Sequence, residues 1–138
     1  MLAGSAGFGA AGIVSKIRNS RVSVLGYVSA GELADWYARA TILAFPSLDE
    51  GFGIPVIEAM AAGLPVITSD RSALAEVAGD AALLVNPESV EQLVEALRRM
   101  AADPMLREEL ARKGLARAAE FTWPKAVEKT WSVYRELL

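Results

Sequence analysis

Four short apolar runs, at residues 22–25, 42–45, 66–68 and 82–85, alternate with segments of helical character. Parallel strands cannot be joined by a tight turn, so this alternation predicts βαβ units, in which a helix carries the chain from one strand to the next. The expected fold is α/β, a Rossmann-like parallel sheet with helices on both faces, followed by a helical C-terminal segment. Ser29-Ala30-Gly31-Glu32 and Ser89-Val90-Glu91-Gln92 both have the capping-box form and place helix starts near residues 29 and 89, with Asn86-Pro87 as the break before the second. From there the chain reads as helix from 89 to about 102, again from Pro104 to about 120, and from Pro124 to the end. In the last of these, Val127, Trp131, Tyr134 and Leu138 recur at spacings of four, three and four, an apolar stripe that reads as core packing.

The 138 residues suit one domain. No apolar run approaches the roughly 18–20 residues a membrane span needs. The opening Met1-Leu2-Ala3 is short of the roughly 7–15 apolar residues of a signal-peptide core. Cysteine and histidine are both absent, which excludes disulfides, thiolate nucleophiles, a histidine acid or base and a His/Cys metal site. The net charge of −3, with bases dispersed among acids, argues against nucleic acid as a partner. A cytoplasmic protein is expected.

Chemistry is concentrated after the second run. The strand at 42–45 stops at Pro46, and Pro55 suits the first turn of a helix, where its missing N–H is no loss. Between them Gly51 and Gly53 allow backbone angles closed to other residues and let a ligand approach the main chain. Free amides at a helix start favour phosphate or carboxylate. The helix from Pro55 to Ala62 is apolar all round except at Glu58, so it is expected to be covered on most sides, with Glu58 facing a partner or ligand. Glu50 stands at the carboxyl end of the strand, where open α/β sheets bind ligands.

These residues resemble the E-x7-E signature of the retaining GT-B glycosyltransferases of the glycosyl transferase group 1 (GT4-like) family. Similar to the family pattern, too, are Leu25-Gly26-Tyr27-Val28-Ser29, the run from Glu58 to Ile67, the run from Leu74 to Val85, and the aromatic pair in Phe121-Thr122-Trp123. The resemblance covers nearly the whole chain and implies the C-terminal, donor-binding half of a GT-B fold. It implies that Glu50, the catalytic candidate, contacts donor-sugar hydroxyls and that Glu58 binds the nucleotide ribose. The amides of Gly51, Phe52, Gly53 and Ile54 would receive sugar and diphosphate, and Tyr27 and Val28 would border the base. One carboxylate can accept hydrogen bonds from two vicinal hydroxyls, which suits both acids to these tasks. No cofactor or metal is expected, a nucleotide sugar being the substrate, and no Asp-x-Asp is present.

A competing pattern lies at the N-terminus, where Gly7-Phe8-Gly9-Ala10-Ala11-Gly12 is a formal G-x-G-x-x-G. An NAD-binding turn would add an acid at the end of the next strand, but that strand runs into Gly26-Tyr27, with no acid until Glu32. As a loop beside the nucleotide, the same glycines fit the glycosyltransferase resemblance. The resemblance also leaves the acceptor domain, the opening strand and helix of the donor domain, and its basic diphosphate clamp outside residues 1–138. The isolated chain is therefore expected to bind a donor without turnover, or to be a non-catalytic binding module. The resemblance further implies that the C-terminal helix crosses back to the other domain, which would leave some of its apolar stripe uncovered here. Self-association through an open sheet edge or the C-terminal helix is expected, as is membrane association of the full-length enzyme.

Overall fold

The computed structural model describes residues 1–7, 9–17 and 20–137. It has two compact units, Met1–Trp36 and Tyr37–Leu138, each with a parallel sheet and helices, the α/β class expected. In the first unit β1 (Leu2–Ala3) pairs with β2 (Val24–Gly26), and α1 (Ala10–Ile17) lies between them in the chain. The strand β2 begins two residues later than the apolar run, and the Ser20 hydroxyl accepts the Val22 amide at 3.2 Å ahead of it. At the start of α2 (Ala30–Arg39) the capping box is complete. The Ser29 amide donates to Glu32 Oε2 at 2.8 Å, and the Glu32 amide returns to Ser29 Oγ at 3.4 Å. The Ser29 hydroxyl, which donates to Glu32 Oε2 at 2.7 Å, and then the Ser29 amide hold the Glu32 carboxyl below its usual range.

In the second unit β3 (Leu43–Phe45), β4 (Val66–Ser69) and β5 (Ala82–Val85) lie side by side in sequence order, all parallel. The crossovers are α3 (Ile54–Ala61) and α4 (Ser72–Ala78). All four residues of β4 are buried. Successive side chains on a strand point to opposite faces, so both faces of this sheet are covered. Ile67 packs with Val85, Ala96, Met100 and Leu110, which brings α5 (Val90–Ala102) and α6 (Pro104–Ala118) onto one of them.

The helix ends follow from the chain's polar residues. Ser89 accepts the Gln92 amide at 3.2 Å, but the Gln92 side chain bonds the Asn86 amide at 2.8 Å instead of closing the box on Ser89. Asp103 both ends α5 and begins α6, its carboxylate accepting the Leu106 amide at 3.0 Å ahead of Pro104. Gly114 of α6 is buried where α3 passes; a Cβ there would stand 3.1 Å from Met60 Cγ.

The last helix, α7 (Trp123–Leu137), corrects one expectation. Its stripe is not core: Val127, Trp131 and Tyr134 are exposed, and no residue of the helix is buried. Periodicity identifies which side chains share a face, whereas burial also requires something to cover that face. Leu138 of the stripe and Phe8 of the glycine pattern lie outside the described residues.

Candidate functional site

The loop from Pro46 to Gly53 joins the carboxyl end of β3 to α3. Its exit from the sheet is fixed by Thr68, buried in β4, whose hydroxyl donates to the Phe45 carbonyl at 3.0 Å. Its entry into α3 is fixed by Gly53, the N-cap, at φ 92° and ψ 44°, with Pro55 in the first helical turn. Only the second of the two glycines is conformationally required. Gly53 is left-handed and a Cβ there would lie 2.5 Å from Leu74 Cδ2, whereas Gly51 has no positive φ and nothing within 4 Å of its Cβ position. The amides of Gly51, Phe52, Gly53 and Ile54 donate to no protein acceptor among the described residues. Four donors without a protein acceptor among the described residues, that of the buried Gly53 included, therefore stand at the positive end of a helix whose N-cap supplies no side-chain oxygen.

The two acids flank these donors. Glu50 is half-buried, and its backbone is held from α4: the Ser72 hydroxyl lies 2.7 Å from the Glu50 carbonyl oxygen and 3.4 Å from its amide. Glu58 comes from the second turn of α3 and is exposed. This corrects the expectation that α3 is covered on most sides. Val56, Ala59 and Met60 are buried, but Ile54 and Glu58, four residues apart, share an open face. Glu58 does have a partner. The Tyr37 hydroxyl hydrogen-bonds its carboxylate, and burial, followed by the nearby Glu58 charge, pushes the phenol up to about 12. The neutral phenol is the donor of this pair.

Phe52, half exposed at the loop's tip, is braced from the C-terminal end of the chain. Its ring meets Phe121 edge to face at 5.9 Å and 83°. The Arg117 guanidinium stands 5.0 Å from the Phe121 ring and donates to the carbonyls of Val77 at 3.0 Å and Glu76 at 2.7 Å, near the end of α4. Glu120 pairs with the same guanidinium. Arg71, the base that follows β4, is engaged elsewhere, with Glu88 at 2.6 Å and Asn86 at 3.1 Å.

Glu50, Gly51, Phe52, Gly53, Ile54 and Glu58 thus occupy one loop and helix start in the second unit. Tyr27 and Val28 follow β2 in the first. A groove of about 360 Å³ beside β5 and α5, lined by Leu83, Glu91, Gln92 and Arg99 among others, involves none of these candidates. Among the described residues no group of three Asp or Glu side chains is arranged to hold a metal ion. Sequence reasoning missed Tyr37 and Ser72. A signal existed for Ser72, since the polar run Thr68-Ser69-Asp70-Arg71-Ser72 leaves the carboxyl end of a strand, where open sheets gather ligand-facing groups.

Residues 15–117 match the family described as Glycosyl transferases group 1. The O-antigen chain mannosyltransferase B of Escherichia coli is 37% identical over 120 residues, 87% of this chain and 32% of its own. The structure of a sucrose-phosphate synthase from Thermosynechococcus elongatus superposes with a TM-score of 0.79 at 33% identity, over 92% of this chain and 33% of that one. A structure of HepE from Anabaena in complex with UDP-glucose shares the fold, with a TM-score of 0.80 at 21% identity over 99% of this chain and 40% of that one. The chain spans a third or less of the length of the curated relatives it matches, 32% of the first and 15% of another.

Proposed function

Because the chain belongs to the group 1 glycosyltransferases, with their GT-B type of fold, we propose that it is the donor-binding domain of a retaining, GT4-like enzyme that transfers a hexose-type sugar from a nucleoside-diphosphate sugar. The observation that carries this reading is the run of four amides, from Gly51 to Ile54, without an acceptor among the described residues and set between Glu50 and Glu58 at the start of α3.

The geometry suits a sugar nucleotide in three parts. The open amides and the helix terminus suit the diphosphate, whose charge they stabilise both when bound and as it departs. The Glu50 carboxylate is assigned to the donor-sugar hydroxyls. Exposed Glu58 accepts one hydrogen bond from Tyr37 and keeps further acceptor positions for the two ribose hydroxyls. Tyr27, 79% exposed, and Val28 are assigned to the border of the base. Transfer then depends on positioning and charge stabilisation, without a metal, and the acceptor hydroxyl attacks the face from which the diphosphate leaves. An acceptor-binding domain is the proposed partner, and turnover requires it. The exposed stripe of α7 or an open sheet edge is proposed to support self-association, which sedimentation at rising concentration would detect. A cytoplasmic location is part of the same proposal.

Calorimetric titration of UDP-glucose, GDP-mannose and ADP-glucose, with their free nucleotides, tests the assignment. One sugar nucleotide should bind, and Glu58→Ala should weaken both it and its parent nucleotide by roughly tenfold, about 1.4 kcal/mol. Unchanged affinity in that variant would refute the ribose assignment.

A further inference from the structure

Ser72 opens α4, yet its hydroxyl does not cap that helix. It reaches back 22 residues to the donor loop, at 2.7 Å from Asp49 Oδ1, 2.7 Å from the Glu50 carbonyl oxygen and 3.4 Å from the Glu50 amide. A hydroxyl has one proton and two lone pairs, so it donates to one of those two acceptors while accepting from the amide. No other side chain among the described residues bonds the Glu50 backbone.

The backbone at Ser72 is unusual as well. Its φ of 55° is the one positive value at a non-glycine among the described residues; the others belong to glycines. Serine is disfavoured there, and such a conformation persists only where its surroundings over-determine it. They do so here. On one side Arg71 is bonded through its amide to Ser69 Oγ at 3.2 Å and through its side chain to Glu88 and Asn86. On the other, Leu74 is fully buried and packs against Gly53, the N-cap of α3. Glycine would adopt this angle freely, and what serine adds is the hydroxyl held against Asp49 and Glu50.

We propose that Ser72 is a positioning residue for Glu50, clamping the Asp49-Glu50 backbone so that the Glu50 carboxylate meets the donor sugar. The proposal rests on the reading of Glu50 as the sugar contact. It implies that the start of α4 shapes sugar binding without touching the sugar, leaving the nucleotide contacts of Glu58 to α3.

The test compares wild type, Ser72→Gly, Glu50→Ala and the double variant of the 138-residue chain. Calorimetry with UDP-glucose against UDP, GDP-mannose against GDP and ADP-glucose against ADP reads how much the sugar adds to affinity. Ser72→Gly relieves the backbone angle, so its melting temperature should equal or exceed that of wild type. It should leave nucleotide affinity within about twofold while cutting the sugar's contribution by roughly fivefold to tenfold, and the double variant should lose no more than Glu50→Ala alone. Equal losses for nucleotide and sugar nucleotide would reduce Ser72 to a structural role and overturn the proposal. So would an unchanged sugar contribution in Ser72→Gly when Glu50→Ala has lost it. A sugar contribution that survives Glu50→Ala, or a wild type that binds no pair, overturns the assignment of Glu50 itself and the inference with it.

Discussion

Two glycines two residues apart make different demands, and the difference is measurable. Gly53 combines a left-handed φ with a Leu74 methyl 2.5 Å from where a Cβ would stand, so Gly53→Ala meets both backbone strain and overpacking. The two terms together predict a loss of about 2–4 kcal/mol, read as a lower urea midpoint at unchanged slope. Gly51→Ala meets neither and should move the midpoint by no more than about 0.5 kcal/mol's worth. Equal effects at the two positions would contradict the loop geometry. Tyr37 gives the pH counterpart. Its phenol titrates near 10 in the unfolded chain and is pushed up to about 12 in the fold, by burial and then by Glu58. The folded state therefore holds the proton more tightly. The stabilisation is complete below pH 10 and is lost as pH climbs from 10 to 12. Urea unfolding of wild type and Tyr37→Phe across that window checks the sign: the stability difference should shift in favour of the variant as pH rises. A difference that is flat with pH would remove Tyr37 as the partner of Glu58.

Between elements, Arg117 is the connection that holds α6 to the end of α4 and, through Phe121 and Phe52, to the loop from Pro46 to Gly53. Its guanidinium serves two successive carbonyls and one aromatic face at once, which an ammonium cannot imitate. Arg117→Lys and Arg117→Ala should both lower unfolding free energy by about 1–3 kcal/mol, with lysine failing to restore the loss. A lysine variant as stable as wild type would mean that charge, and not the fork, matters. The same residue marks the limit of what the sequence discloses. Strands 66–68 and 82–85, the proline at the start of α3 and the Ser89 cap are local patterns, and each was legible from neighbours in sequence. The contacts that shape the site span 22 residues from Glu50 to Ser72 and 40 from Val77 to Arg117. No spacing rule reaches that far, since such pairings depend on how β4 and α6 stack in space. The stripe on α7 failed for the converse reason: its local pattern was read correctly, but cover for that face is a property of the whole assembly.

At the scale of the molecule, stability is unevenly distributed between the two units. In Tyr37–Leu138 every residue of β4 is buried and Ile67, Val85, Met100 and Leu110 form a continuous core. In Met1–Trp36 no described residue is buried, and the sheet is a two-residue strand beside a three-residue one, with a register irregularity between Leu2 and Ala3. A pair of strands that short, without a buried face of its own, is marginal in water. Amides in such a segment exchange through local opening, whereas those of a buried central strand await global unfolding. Hydrogen exchange should therefore protect the amides of Val66–Ser69 at least roughly a hundredfold more than those of β1, β2 and α1. Brief proteolysis should cut first within residues 1–36 and leave a folded fragment beginning near Tyr37. Saturating sugar nucleotide sharpens the test, because Tyr27 and Val28 belong to the first unit and are assigned to the base. If they bind it, the ligand should slow cleavage and exchange in that unit by mass action on its open state. Protection that is already equal in both units without ligand would mean that they unfold as one. A ligand that protects only the loop around Glu50 and Glu58 would remove Tyr27 and Val28 from the site.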